Sequence, residues 1–225
     1  MPAMEAPLLL ASASPRRRRL IAWLGVPFEV TATDTLEDLA SPLASVPPVL
    51  ARFIAADKAR AARDQAGPDA AIVACDTIVL LDRRILGKPS DLTEASGMLR
   101  ALSGRRHDVI TGVALFLSGW PEPRTFAVTT PVQMHDIDEH QERAWLAKGE
   151  VLGCAGAYNI ESHLASVDAG ECYQNVAGLP VCHLFRELGR HGYPGVCSPA
   201  GACDASRGTL CALGARLAGG TAVPS

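Results

Sequence analysis

Apolar and polar positions near the start of the chain follow first a strand-like pattern and then a helical one. The apolar run Leu8–Ala11 is followed by serines, and Pro15–Leu24 then carries apolar residues at helical spacing, which predicts a strand, a short loop and a helix. Phe28–Thr33 alternates apolar and polar residues and predicts a second strand. Ala71–Leu81 is an almost continuous apolar run, which is typical of a central strand buried on both faces.

The rest of the chain mixes the same two patterns. Asp34–Pro48 is polar and contains prolines, which predicts a loop or a short helix. Helices are predicted over Val49–Gln65, from Asp91 to Ser103, from Asp138 to Lys148 and over Val181–Leu188. Strands are predicted over Ile85–Leu86, Val109–Leu117, Thr125–Met134, Leu164–Val167 and Cys172–Val176. Strands and helices mixed in this order predict the α/β class.

The last part of the chain has a different composition. From about His191 onward it is rich in Gly, Pro, Ala and Ser and shows little periodicity. We therefore predict one domain over residues 1–190 and a tail over residues 191–225 without regular structure. Truncation after Arg190 is then expected to leave activity and melting temperature nearly unchanged.

Length and charge exclude several classes of protein. With 225 residues the chain can bury a sizeable core, and its net charge of −3 does not favour binding to nucleic acid or to an anionic membrane. No apolar run reaches the roughly 18–20 residues needed to span a bilayer. The first residues lack the basic and apolar regions of a signal peptide, so a cytoplasmic location is expected.

The seven cysteines do not suggest a disulfide framework. Four lie in apolar or loop segments and are predicted to be buried free thiols, namely Cys75, Cys154, Cys172 and Cys182. The three in the tail, Cys197, Cys203 and Cys211, show neither a CxxC pair nor a nearby pair of histidines. Their spacing therefore does not predict a zinc site.

Four arginines, Arg16–Arg19, follow Ser12, Ser14 and Pro15 at the start of the first predicted helix. Ser14 suits the N-cap and Pro15 the first helical position. Cations are unfavourable there because a helix N-terminus already carries partial positive charge. Two explanations remain open: a binding site for an anion such as phosphate, or a solvated basic patch beside a capped helix.

Asp76 is the other unusual residue, because it is the lone charge in the apolar run Ala71–Leu81. A buried carboxylate is costly unless it is paired or binds a metal, so Asp76 is either functional or a satisfied structural group. Lys88 lies between Gly87 and Pro89, on a stiff turn that could present it to a phosphate. Lys58 and Glu37 carry no distinctive signal of their own.

Taken in order, several short segments form a specific combination. They are Ala11–Arg17, Glu37, Lys58, Cys75-Asp76-Thr77, Gly87-Lys88-Pro89, Ser103-Gly104, His107, Thr111-Gly112, Ala155–Tyr158, Asn175-Val176 and Gly178-Leu179-Pro180. Between about Leu8 and Gly189 the chain thereby resembles the Maf family of nucleotide pyrophosphatases. The tail lies outside this resemblance.

The resemblance implies a fold and an activity. The fold would be a two-lobed mixed sheet with flanking helices around a cleft, similar to inosine triphosphate pyrophosphatases. The reaction would be hydrolysis of a nucleoside triphosphate to the monophosphate and pyrophosphate with a divalent cation, Mg or Mn, in the service of nucleotide-pool sanitation. The partners implied are the triphosphate substrate and a second copy in a homodimer, with neither nucleic acid nor membrane.

The resemblance also implies catalytic roles by position. Asp76 would accept a proton from water and contact the metal. Glu37 would help to hold the metal, although the acid that often precedes it in the family is Leu36 here. Lys58 and Lys88 would contact the triphosphate.

Substrate recognition is implied by a second group of residues. Ser12, Arg16 and Arg17 would lie at the phosphate-binding loop, and Arg16, Thr77 and Glu161 match positions that choose the base. Arg16 and Thr77 fit the group acting on thymidine and uridine triphosphates. Glu161 and the Gly153–Gly156 loop are more like the group acting on 7-methylguanosine triphosphate. The base therefore stays open.

A different class of function is the alternative. Because the family has been linked to septum formation, the protein could be a nucleotide-binding regulator of cell division with little catalysis. The presence of Asp76, Lys58 and Lys88 favours the enzyme.

Overall fold

A computed structural model describes residues 7–33 and 35–219 of the chain. The strands are β1 (Leu8–Ala11), β2 (Phe28–Thr31), β3 (Ile72–Leu81), β4 (Arg84–Leu86), β5 (Arg106–Phe116), β6 (Arg124–Met134) and β7 (Ala165–Val167). The helices are α1 (Pro15–Ala22), α2 (Pro47–Ala66), α3 (Leu92–Leu102), α4 (Glu139–Leu146), α5 (Tyr173–Val176), α6 (Val181–Arg190), α7 (Ala200–Arg207) and α8 (Ala212–Gly219). The predicted α/β class, a mixed sheet with flanking helices, is confirmed.

The described strands form one sheet in the order β2-β1-β3-β5-β6-β7, and β4 pairs with the end of β3. β1 runs parallel to β2 and β3, whereas β3, β5, β6 and β7 pair antiparallel. β3 lies inside the sheet and is covered on both faces, which explains its continuous apolar sequence. Asp76 lies in the middle of this strand, opposite Gly112 of β5.

The two faces of the sheet bury different sets of residues. On one face, Ile72 and Ala74 of β3 pack with the alanines of α2. On the other, Val73 and Cys75 join a larger core that includes side chains of α1, α3 and α6. This alternation is what a strand with a period of two requires.

A close approach of α2 to β5 fixes the position of Lys58. A Cβ added to Gly112 would lie 2.1 Å from the backbone oxygen of Ala51, so only glycine fits opposite this helix. Lys58 follows Ala51 by seven residues, two helical turns, and therefore lies on the same face of α2. The Thr111-Gly112 pair thus brings a lysine over the sheet beside Asp76.

One predicted strand is a helix. The segment Cys172–Val176 was expected to be a strand, and Tyr173–Val176 forms α5 instead. The amide of Asn175 donates to Val109 O at 3.0 Å and to Thr130 Oγ1 at 3.1 Å. A buried side chain thereby makes the contacts to β5 and β6 that a backbone ladder would otherwise make.

The prediction of a tail without regular structure is wrong for residues 200–219, which form α7 and α8. Cys203, Cys211 and Leu217 are buried, and Leu217 belongs to the main core. Their apolar surface comes mostly from small residues, so the sequence shows little periodicity. The domain, loop and tail predictions also covered residues 1–6, Asp34 and residues 220–225. These lie outside the described residues.

None of the helices within residues 7–33 and 35–219 is both long enough and apolar enough to cross a membrane.

Candidate active site

A cavity of 870 Å³ opens beside the carboxyl end of β1 and the middle of β3. All nine residues predicted to bind or act on the substrate line it: Ser12, Arg16, Arg17, Glu37, Lys58, Asp76, Thr77, Lys88 and Glu161. Sequence segments that are far apart therefore meet at one site.

Four charged side chains form what we call the charge cluster: Glu37, Lys58, Asp76 and Lys88. Lys58 Nζ donates to Asp76 Oδ1 and to Glu37 Oε1, both at 2.6 Å. Lys88 Nζ donates to Glu37 Oε1 at 3.1 Å. Lys58 and Asp76 are buried, and their pairing offsets the cost of removing both charges from water.

Glu37 and Lys88 form the exposed side of the charge cluster. Burial by itself would raise the pKa of Glu37, but the charges and hydrogen bonds of Lys58 and Lys88 outweigh it and hold that pKa below its ordinary value. Gly156 N donates to Gly87 O at 2.9 Å, which ties down the turn that carries Lys88. The Lys88 side chain is itself half exposed.

Arg17 turns inward and holds the serine loop to the sheet. Its guanidinium donates to Ser12 Oγ at 3.2 Å, Cys75 O at 2.8 Å, Thr77 Oγ1 at 3.0 Å and Gly178 O at 2.8 Å. Since an arginine has five N–H groups, one is left for a ligand. The arginine run, for which an anion site and a solvated patch were both open, therefore contains one arginine whose main contacts are internal.

A chain of neutral polar groups runs inward from the cavity, and we call it the polar wall: Thr77 and Gly178 line the cavity, and Thr111 and Asn175 are buried behind them. Thr111 Oγ1 donates to Asn175 O at 3.0 Å and lies 2.9 Å from Thr77 Oγ1. Because the Thr111 proton points to the carbonyl, the proton between the two threonines belongs to Thr77. Toward a ligand, Thr77 can therefore only accept a hydrogen bond.

Two of the remaining predicted residues have partners that the sequence did not reveal. Glu161 forms an ion pair with Arg19 of α1, which was not among the predicted site residues. Arg16 reaches the thiol of Cys154, whose pKa is raised by burial in spite of the Arg16 charge. The sequence could not show which arginines of the run have such partners, because that depends on which face of α1 meets the cavity.

The polar wall was also missed as a unit. Thr111, Asn175 and Gly178 lie in short motifs of the sequence, but nothing in their spacing showed that they meet Arg17 and Thr77. Hydrogen bonds between residues 34 to 161 positions apart leave no periodic signal in the chain. They become visible only when β3 and β5 are paired.

Comparison with known proteins agrees with this geometry. A family model described as Maf-like protein matches residues 7–191. This chain belongs to the Maf-like family. The family match ends at the last turn of α6, so α7 and α8 lie beyond it.

Relatives of this Maf-like chain carry names that state an activity. A protein named dTTP/UTP pyrophosphatase from Pelotomaculum thermopropionicum is 38% identical over 188 residues, which are 83% of this chain and 97% of the relative. A protein of the same name from Salinibacter ruber is 40% identical over 189 residues, 82% of this chain and 91% of the relative.

A solved structure was also matched, a nucleoside-triphosphatase or dITP/XTP pyrophosphatase from Mycobacterium abscessus. It is 19% identical, with a TM-score of 0.37, over 57% of this chain and 73% of that chain.

Proposed function

We propose that this protein hydrolyses nucleoside triphosphates to the nucleoside monophosphate and pyrophosphate. The observation that carries the proposal is the buried Lys58–Asp76 pair in a cavity that also holds arginines of α1 and the neutral groups Thr77 and Gly178. A nucleoside triphosphate needs cations for its phosphates and neutral polar groups for its base, and this lining offers both. The names of the relatives support the same reaction.

The phosphates would lie between the serine loop and the charge cluster. Ser12 Oγ already accepts from Ser14 N at 3.3 Å and from Arg17, so its own proton is left to donate to a phosphate oxygen. Arg16 is on the same rim, and Arg17 offers its remaining N–H. Lys88 would exchange its exposed pairing with Glu37 for a phosphate oxygen.

The two carboxylates fit a divalent cation such as Mg or Mn. Glu37 and Asp76 present hard oxygen ligands from the same edge of the cavity. Within the described residues no group of three or more His, Cys, Asp or Glu side chains is arranged to hold a metal ion. Two carboxylates plus oxygens of the substrate's phosphates form the type of site that Mg prefers. A bound cation would neutralise phosphate charge in the transition state.

Asp76 would take the proton from the attacking water. Lys58 occupies Oδ1, so Oδ2 is the oxygen left to act as base. The water oxygen forms the new bond to phosphorus, and the bridging oxygen between the α- and β-phosphates leaves with pyrophosphate. Lys58 and Lys88 stabilise the charge that develops on the leaving group.

We further infer that uridine and thymidine triphosphates are preferred substrates. Thr77 can only accept, and the N3–H of uracil and thymine is a donor that it could satisfy. Guanine-type bases also carry adjacent donors, but Glu161 could accept from them only by giving up its ion pair with Arg19. The dTTP/UTP names of the relatives favour the pyrimidines.

The test is product analysis over a panel of nucleotides with Mg or Mn. The proposal predicts one pyrophosphate per monophosphate formed, with UTP and dTTP turned over faster than GTP and 7-methyl-GTP. Release of inorganic phosphate and a diphosphate would contradict the bond assignment. Tight nucleotide binding without turnover would instead favour the regulator of cell division. Light scattering of the same sample checks the predicted homodimer.

A further inference from the structure

We propose that the C-terminal helices α7 and α8 position the polar wall of the cavity, acting through Gln174 of α5. These helices lie outside the family match, which ends at residue 191. The inference rests on the proposed function only for its kinetic readout.

The first step is a direct contact between α7 and α5. Gln174 is almost completely buried, and its Nε2 donates to Ser206 Oγ at 3.1 Å and to Cys203 Sγ at 3.7 Å. The guanidinium of Arg207 lies 5.4 Å from the centre of the Tyr173 ring. Two consecutive residues of α5 are therefore held by three residues of α7.

A group of four buried thiols reinforces the attachment. Cys172 and Cys182 belong to the domain, and Cys203 and Cys211 belong to the C-terminal helices. A Cβ on Gly214 would lie 3.6 Å from both Cys182 Sγ and Cys211 Cβ, so α8 packs directly against α6. Burial raises the pKa of Cys172 and of Cys182 to about 12, so these thiols are uncharged packing groups rather than nucleophiles.

The second step leads from α5 to the cavity. Asn175 follows Gln174 directly, and its carbonyl accepts the proton of Thr111, which in turn contacts Thr77. Gly178, four residues after Gln174, accepts the Nε proton of Arg17. The segment that α7 holds on its outer side therefore carries two acceptors that fix the polar wall on its inner side.

Most of the charge cluster is carried by other elements. Lys58 lies on α2, and Glu37 and Lys88 lie on loops. Asp76 precedes Thr77 on β3, but its charged partner is Lys58 of α2. Loosening α5 should therefore disturb the nucleoside end of the substrate and leave the bond-breaking groups in place. The expected signature is a higher KM with a nearly unchanged kcat.

The experiment compares the full chain with a variant truncated after Ser198, which keeps the contact of Cys197 N with Leu24 O. We expect KM for UTP to rise about threefold to tenfold, the effect of losing one or two hydrogen bonds, with kcat changed less than about twofold. The inhibition constant of pyrophosphate should stay the same. Amide hydrogen exchange over residues 173–178 should become faster.

Point variants keep the test valid if the truncated chain folds poorly. Ser206→Ala and Arg207→Ala should reproduce the change in KM and in amide exchange on a smaller scale. Arg216→Ala, an exposed arginine on α8, is the matched control and should change neither.

Three results would overturn the proposal. The first is unchanged KM and unchanged amide exchange over residues 173–178 in the truncated chain. The second is an equal loss of kcat and pyrophosphate affinity together with a lower melting temperature, which would indicate general destabilisation. The third is an effect of Arg216→Ala as large as that of Arg207→Ala. If the full chain hydrolysed no nucleotide, the proposed function would fail, and amide exchange would still decide this inference.

Discussion

The charge cluster and the polar wall are built on opposite principles. The charge cluster joins four ionised side chains, two of them on loops, and Lys88 is half exposed. The polar wall joins neutral groups through consecutive hydrogen bonds on β3, β5 and α5, and Thr111 and Asn175 are completely buried. The first can exchange partners when a substrate arrives, whereas the second has a fixed geometry.

One cavity can in this way combine catalysis at the phosphates with selection of the base. Charged groups are needed where phosphate charge moves during the reaction, and their internal pairing keeps them stable before substrate binds. A neutral base carries little charge, so it is recognised by the direction of donors and acceptors. Direction is reliable only if the protein groups are already fixed, as Thr77 and Thr111 are.

The largest effect should come from Asp76→Asn. We expect kcat to fall by about 10²–10⁴-fold, because asparagine keeps the shape and an oxygen for Lys58 but cannot accept the proton from water. Steady-state kinetics and a melting curve measure the effect and check the fold. Asp57→Asn, at an exposed position on α2, is the control. Retention of more than about a tenth of kcat by Asp76→Asn would show that Asp76 is not the base.

Lys88→Ala should weaken binding of a triphosphate but not of a nucleoside, which distinguishes the charge cluster from the polar wall. A charged hydrogen bond contributes roughly 1.5–3 kcal/mol, so affinity for a non-hydrolysable triphosphate should fall by at least about tenfold. Affinity for the matching nucleoside should change little, because the polar wall is intact. Isothermal titration with both ligands measures this, and Lys148→Ala is a control. Equal losses for both ligands would remove Lys88 from the phosphate site.

Glu161→Gln tests whether Glu161 contributes to the choice of base. An ionised carboxylate offers only acceptors, whereas an amide offers a donor and an acceptor and suits uracil and thymine better. The ratio of kcat/KM for UTP to that for GTP should rise by roughly tenfold, because the amide loses an acceptor for guanine and gains a donor for the uracil carbonyl oxygens. Glu122→Gln, on the surface, should leave the ratio unchanged. The same ratio in both variants would mean that Glu161 does not read the base.

The pH dependence of stability tests the fold rather than the activity. Burial lowers the pKa of His107 and of His183 to about 4 in the folded protein, below the ordinary 6.5. The unfolded chain therefore binds their protons first, and stability that is complete above pH 6.5 is lost as the pH falls toward 4. Each histidine contributes a slope of up to about 1.4 kcal/mol per pH unit.

The charge cluster should respond to acid at a lower pH than these histidines. The lowered pKa of Glu37 means that its contribution is lost only below its ordinary value of 4.5. Urea unfolding of wild type and His107→Gln between pH 7 and 4 measures the slope. An identical slope in the two proteins would contradict the lowered pKa of His107.

The fold of the domain was largely predictable, because β3, α2 and their neighbours carry clear periodic patterns. Asp76 was recognisable since a lone charge in an apolar strand is conspicuous. The role of Lys58 was not, because it depends on how closely α2 approaches Gly112. The helices α7 and α8 were missed because small residues such as Cys and Ala bury surface without a strong period.

The short helix α5 shows a further limit of the sequence. The residues Cys172–Val176 suit a strand, and the tertiary hydrogen bonds of Asn175 decide otherwise. Such contacts link residues that are distant in the chain, so no local sequence pattern predicts them.

We propose that the charge cluster performs the chemistry and that the polar wall positions the nucleoside. The most direct measurement is kcat and KM for UTP in Asp76→Asn and Thr111→Val, assayed side by side with wild type. We expect Asp76→Asn to lose at least about a hundredfold in kcat with little change in KM. Thr111→Val, which removes one buried hydroxyl, should raise KM by about threefold to tenfold and keep kcat within about twofold. Changes in the same parameter in both variants would contradict the division.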